Sequence, residues 1–257
     1  MMKWPRRILI TLVIIYVGIT AIAFLAQRSF LYFPTEFYEL PPAGFVEVKT
    51  DEGILGWHSA AKDGRPTVMV FHGNASSIDS NMHIFRDFRA AGYGIWSVGY
   101  PGYPGNEGSP TQTKIVNAAA AQYETLRQQG VTDIIFYGTS LGSGVAAQLS
   151  AKYEPDLLIL DAPFNSVLDI AKKQAPILPT TLLLKDKWQS DIALKDVNAP
   201  LIWIHGTADR VIPIAQGQKL YDGYGGPKTA LIISDANHIN TWVNGGREAV
   251  LTALNKL

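Results

Sequence analysis

Residues 8–25 read ILITLVIIYVGITAIAFL, an unbroken run of eighteen positions without a charge. As an α-helix rising about 1.5 Å per residue the run reaches roughly 27 Å, close to the hydrocarbon thickness of a bilayer. Twelve of the eighteen are Leu, Ile, Val or Phe. Each favours insertion by roughly 0.3–0.6 kcal/mol, and no Asp, Lys or Arg offsets them. The pattern predicts one transmembrane helix over residues 8–25, within an anchor region of residues 1–29. Ala21-Ile22-Ala23 also has the look of a signal-peptide cleavage site. A signal core is only about 7–15 residues long, however, so an uncleaved signal-anchor is the expectation and a cleaved signal the alternative. Lys3, Arg6 and Arg7 precede the run and Arg28 alone follows it closely. The positive-inside rule then predicts a cytoplasmic N-terminus and a domain outside the cytoplasm, with Trp4 and Tyr32 as interface anchors.

Beyond the run the pattern changes twice. Residues 30–44 (FLYFPTEFYELPPAG) are aromatic and carry three prolines, which stops a helix and predicts an extended linker arm. From residue 45 short β-rich runs take over. Runs at 45–50 and 54–59 flank Asp51-Glu52-Gly53 and predict a hairpin. Further runs follow at 67–71, 93–98, 133–137, 157–160, 201–204 and 230–233, separated by stretches of helical length such as 111–129 and 141–153. This alternation predicts a mostly parallel, eight-stranded sheet with helices on both faces, one α/β domain over residues 45–257. Within it, residues 164–199 form an insertion whose Ile177, Leu178 and Leu182–Leu184 suit a small apolar lid or plain core packing.

Length and composition narrow the function classes. A chain of 257 residues buries a full core in one such domain, and 47% hydrophobic residues suit it. Lys plus Arg balance Asp plus Glu at 22 each, so no basic footprint recruits nucleic acid. Cysteine is absent, which excludes disulfides, thiolate catalysis and Cys-ligated zinc. No cluster of residue types calls for a metal, and no cofactor is expected.

The chemistry centres on Gly138-Thr139-Ser140-Leu141-Gly142, a G-x-S-x-G run between a predicted strand and an Ala-rich helix. A turn that tight crowds the positions two residues either side of the serine, and glycine relieves the crowding. Ser140 is the predicted nucleophile, with Ser143 a weaker candidate. The helix start aims backbone N–H groups at an oxyanion beside it, with Leu141 as one donor. The strand 68–71 runs into His72-Gly73-Asn74, a loop at the same sheet edge, where Asn74 N–H is the predicted second donor. A serine at its free pKa needs an imidazole base oriented by a carboxylate. Of five histidines, His58 and His83 lie far in topology from the strand ends, and His72 and His205 read as structural. His238, on the loop after the last strand, is the predicted base. Asp209, on the loop before it, is the predicted acid by the order Ser, Asp, His. Asp161, ending an earlier strand, remains its rival.

Together these features resemble the membrane-anchored α/β-hydrolases of the Bem46-like family, related to the ABHD13 and ABHD17 type. The matching residues are the anchor with Leu31-Tyr32-Phe33-Pro34, His72-Gly73-Asn74, Gly138 to Gly142, Asp161-Ala-Pro-Phe164, His205-Gly-x-x-Asp209 and His238. The resemblance implies the α/β-hydrolase fold, a Ser140–His238–Asp209 triad and an oxyanion hole from Asn74 and Leu141. One departure is Gly99-Tyr-Pro-Gly-Tyr-Pro-Gly105, where such proteins read more like Asp-x-Arg-Gly-x-Gly. That run falls on the loop over the pocket, so no substrate is carried over. The expected function is hydrolysis of carboxylic esters or thioesters of small acyl or lipid-like substrates at the membrane. A serine peptidase or amidase, or a membrane-tethered binding protein without catalysis, are the alternatives.

Overall fold

In a computed structural model the described residues are 4–62 and 64–254; Lys3 lies outside them. The apolar run forms helix α1 (Trp4–Leu31), 28 residues and so about 42 Å long, long and apolar enough to cross a membrane. It extends beyond the predicted 8–25 at both ends. Pro5 falls in the first turn, where its missing N–H breaks no helical bond. The helix then takes Phe30 and Leu31 from the predicted arm.

Eight strands follow: β1 (Val46–Lys49), β2 (Leu55–Ser59), β3 (Thr67–Phe71), β4 (Gly94–Val98), β5 (Ile134–Thr139), β6 (Leu157–Asp161), β7 (Leu201–Gly206) and β8 (Lys228–Ile233). They form one sheet in the order β1-β2-β4-β3-β5-β6-β7-β8. Pairings β1–β2 and β2–β4 are antiparallel, and all the others are parallel. β7 and β8 run longer than their apolar runs suggest, because pairing continues from Leu201↔Lys228 to Gly206↔Ile233. Backbone pairing, unlike hydropathy, does not stop at Lys228 or Gly206.

Strands β3 to β7 are buried throughout except at Thr139, the half-buried end of β5, as parallel strands covered on both faces must be. Alternation of side chains divides the core in two. Met69, Phe71, Phe136 and Leu158 face one layer, while Val68, Val70, Ile135 and Ile159 face the other. Against the second layer pack α2 (Met82–Ala90) and α9 (Arg247–Leu254), through Phe85, Phe88 and Val250. Against the first pack α3 (Gln112–Gln128), α4 (Leu141–Ser150) and α8 (Ile214–Gly223), through Ile115, Val145 and Leu220.

Between β6 and β7 lie α5 (Val167–Gln174), α6 (Thr180–Leu183) and α7 (Ser190–Ala193). Phe164, Trp188 and Leu194 root this insertion in the core, while Ile177 and Leu182 project outward. Tyr32 does not behave as the predicted interface anchor. It is buried, and its hydroxyl accepts a hydrogen bond from Trp188 Nε1 at 3.0 Å, because a buried phenol requires a partner. Trp4 is exposed.

Candidate active site

Five parallel strands, β3 and β5 to β8, end at the same sheet edge, and the loops after them supply every predicted site residue. At the end of β5 the chain reverses into α4 with Ser140 at φ +53° and ψ −118°. A side-chain-bearing residue held there is strained, and such strain persists only where the surroundings impose it. Both flanking glycines are required by contact. A Cβ on Gly142 would lie 2.0 Å from the Phe71 carbonyl oxygen, and one on Gly138 would lie 2.4 Å from that of Gly142. Helix α4 thus sits hard against the end of β3, and Ser140 is lifted above the edge. Leu141 opens α4, so its N–H is among the donors an α-helix leaves unmatched at its start. Ser143, the weaker candidate, is buried and donates its hydroxyl to Ser140 O at 2.6 Å.

Three side chains separated in sequence meet here. Ser140 Oγ lies 2.9 Å from His238 Nε2, and His238 Nδ1 lies 2.7 Å from Asp209 Oδ2. A nitrogen that close to a carboxylate carries the proton, so Nε2 presents its lone pair to the serine hydroxyl. Asp209 is buried, and its other oxygen accepts from the N–H groups of Val211 at 2.8 Å and Ile212 at 2.9 Å. Burial works against ionising Asp209, but hydrogen bonds from His205, His238 and Ile212 outweigh it and hold the carboxyl far below the usual carboxylate range. The side chain is an anion that orients its histidine.

His205 supports this loop. Its Nδ1 accepts from Trp203 Nε1 at 3.2 Å, so Nε2 carries the hydrogen and donates to Ile212 O at 2.9 Å, with Asp209 Oδ2 at 3.4 Å beyond. Asp161, the rival acid, borders the same cavity as Ser140 but is turned to other partners. Its carboxyl receives Tyr137 OH at 3.0 Å and Thr241 Oγ1 at 2.9 Å. Burial raises it to about 6, despite those bonds.

Two histidines behave differently from each other. His72 stacks on Tyr100 with ring centroids 4.0 Å apart, and burial lowers it to about 4, so it is neutral and structural as expected. His83 is not remote. It lines the 230 Å³ cavity that contains Ser140, His238, Gly73 and Asn74. Topological distance misled here because α2 starts at Met82, soon after β3 ends at Phe71, and its first turn lies beside the β3 loop. Burial lowers the His83 pKa, which favours the neutral ring at that wall.

Asn74 does more than its backbone role suggested. Its Oδ1 accepts from Phe33 N–H and from Tyr103 OH, each at 2.9 Å, and its Nδ2 donates to Leu31 O at 2.6 Å. The side chain therefore ties the loop after β3 to the end of α1 and to the Gly99–Gly105 run. Tyr100, from the same run, donates to His72 O at 3.1 Å. The two tyrosines of that departing segment thus brace the loop carrying Asn74. Their spacing was visible in the sequence, but their partners were not.

Another cavity, of about 740 Å³, lies elsewhere, among Leu157, Leu201 and Lys228 at the opposite ends of β6 to β8. It touches none of the residues above.

Residues 66–183 match a family model described as alpha/beta hydrolase fold. The uncharacterized protein Rv2307c of Mycobacterium tuberculosis is 29% identical over 244 residues, spanning 90% of this chain and 86% of that protein. The lysophosphatidylserine lipase ABHD12 of Danio rerio is 27% identical over 202 residues, spanning 70% of this chain and 53% of the lipase. Among solved structures, the Pyrococcus furiosus esterase Pf2001 superposes with a TM-score of 0.72 at 17% identity, covering 87% of this chain and 96% of the esterase. These similarities establish the fold without resolving the Bem46-like, ABHD13 or ABHD17 branch.

Proposed function

We propose that this chain, which has the α/β-hydrolase fold, works as a membrane-anchored serine hydrolase cleaving carboxylic ester or thioester bonds of acyl substrates. The observation that carries this reading is the continuous relay Ser140 Oγ, His238, Asp209, with both hydrogen bonds under 3 Å. In this reading His238 Nε2 takes the Ser140 proton as Oγ attacks the acyl carbonyl. Asp209 stabilises the imidazolium without itself becoming protonated. The tetrahedral oxyanion is held by the N–H groups of Leu141 and Asn74, a contribution of roughly 3–4 kcal/mol per donor in such sites. His238 then gives the proton to the leaving oxygen or sulfur, an acyl-Ser140 ester remains, and water activated by the same imidazole releases the acid.

Ester substrates gain support from the esterase and lipase named among the similar proteins. The motifs at Leu31–Pro34 and Asp161–Phe164 favour the Bem46-like branch. Membrane attachment rests on α1, and the excess of basic residues ahead of the apolar run favours a cytoplasmic N-terminus with the catalytic domain outside. Fluorophosphonate labelling tests the chemistry: wild type is labelled and hydrolyses p-nitrophenyl acetate, and Ser140→Ala loses both while retaining its thermal midpoint. Labelling that survives in Ser140→Ala refutes the nucleophile. Protease added to intact cells tests the orientation, and complete protection of the domain until lysis refutes it.

A further inference from the structure

The second half of α1 lies against the segment between β6 and β7. Tyr16 OH donates to Ile177 O at 2.9 Å, Gln27 Nε2 donates to Leu183 O at 3.1 Å, and Gln27 Oε1 accepts from Lys185 N–H at 2.7 Å. Arg28 pairs with the buried Asp186 at 2.9 Å. Tyr16 and Gln27 are about 16 Å apart along the helix, so the α5–α6 segment lies alongside half of the apolar run. Between them remains a slot of about 580 Å³, walled by Phe24 and Leu31 on one side and by Ile170, Leu178 and Leu183 on the other. No residue lining it carries a formal charge.

The slot neighbours the cavity that holds Ser140. Asn74 borders both this slot and the smaller cavity holding Ser140, and Val211, whose N–H bonds Asp209, sits on its rim. Its other end lies beside membrane-compatible surface, since Ile177 and Leu182 at the tip of the insertion are 72% and 84% exposed. At roughly 30 Å³ per water-sized group, close to a methylene, the slot holds about twenty such groups, the size of one long acyl chain.

We infer that this slot is the acyl-chain site, taking a single chain of a membrane lipid sideways from the bilayer with the anchor helix itself as one wall. The proposal rests on the serine-hydrolase reading and specifies its substrate: a long-chain monoacyl ester or thioester whose carbonyl reaches Ser140 while its tail lies between α1 and α5–α6. An apolar chain passing from lipid into an uncharged slot exchanges one apolar surrounding for another, so entry carries little desolvation cost. A substrate arriving from water instead gains affinity with length, up to about fourfold in kcat/KM per methylene buried.

The test uses the full-length chain in lipid nanodiscs and a p-nitrophenyl alkylphosphonate with a dodecyl chain ending in a diazirine. The probe is expected to label Ser140 and, on irradiation, to cross-link to residues 23–33 or 167–184. Cross-links confined to other segments overturn the slot while leaving the hydrolase reading intact. Failure to label Ser140 with this probe and with a short fluorophosphonate overturns the hydrolase reading and the slot with it. Labelling by the short reagent alone overturns only the slot. Independently, Ala171→Phe, which fills the slot, is expected to lower the ratio of kcat/KM for p-nitrophenyl dodecanoate over acetate at least tenfold. An unchanged ratio in a variant that retains its thermal midpoint overturns the assignment.

Discussion

Asp209→Asn isolates the orienting role of the acid from the shape of its loop. The N–H groups of Val211 and Ile212 both point at Oδ1 and require an acceptor, so the amide oxygen must take that position. The amide NH2 then stands where Oδ2 faced His238 Nδ1 at 2.7 Å. An NH2 there donates to Nδ1 and pushes the imidazole proton to Nε2, the atom that must accept from Ser140 at 2.9 Å. The base is lost and the stabilised imidazolium with it. The same replacement in a well-studied serine protease triad lowers turnover about 10⁴-fold, or about 5.4 kcal/mol in the barrier. We expect a similar loss here in kcat for p-nitrophenyl acetate, with KM little changed. Asp161→Asn is the control, since its partners are Tyr137 and Thr241 and not His238. At pH 8 it is expected to cost less than tenfold. Measured at equal folded concentration, an Asp161→Asn variant as damaged as Asp209→Asn would show that the acid comes from β6 and sink the loop-order reasoning.

Two further outcomes follow from buried groups near the site. The Asp161 carboxyl titrates near 6 in the fold against 3.8 for the free group, so between those values the folded protein binds more protons than the unfolded chain. Its contribution to stability therefore falls as pH rises from about 4 to 6 and is level above. Relative to Asp161→Asn, wild type is expected to lose at most about 3 kcal/mol across that window, read from denaturant midpoints at pH 4, 5, 6 and 7; a constant difference at all four refutes it. Asp209, depressed instead of raised, loses its stabilising ionisation only as pH falls below about 4. Gly142→Ala is expected to destabilise by several kcal/mol, because its Cβ falls 2.0 Å from backbone that cannot move without shifting β3. A thermal midpoint within 2 °C of wild type, about the shift of a fraction of a kcal/mol, contradicts that packing.

Hydropathy alone determined the apolar helix and the alternation that yields an eight-stranded, mostly parallel sheet, because burial on both faces of such strands demands continuous apolar runs. The glycines at 138 and 142 announced the turn at Ser140, since local crowding is a property of neighbouring residues. Chain order also marked His238 and Asp209 as candidates. What the tertiary structure decided are contacts between residues far apart in the chain. Chain order favoured Asp209 over Asp161, but only the fold reveals that Thr241, 80 positions away, occupies the Asp161 oxygens. His83 borders the Ser140 cavity because the first turn of α2 docks beside the loop after β3, a placement that position along the chain does not encode. The same holds for Tyr32, hidden by Trp188 156 positions later, and for Asn74, which joins the end of α1 to the loop beside the serine. A side chain's partners across the fold depend on how helices and loops dock, and docking depends on the summed packing of the whole core, which no short pattern in the chain carries.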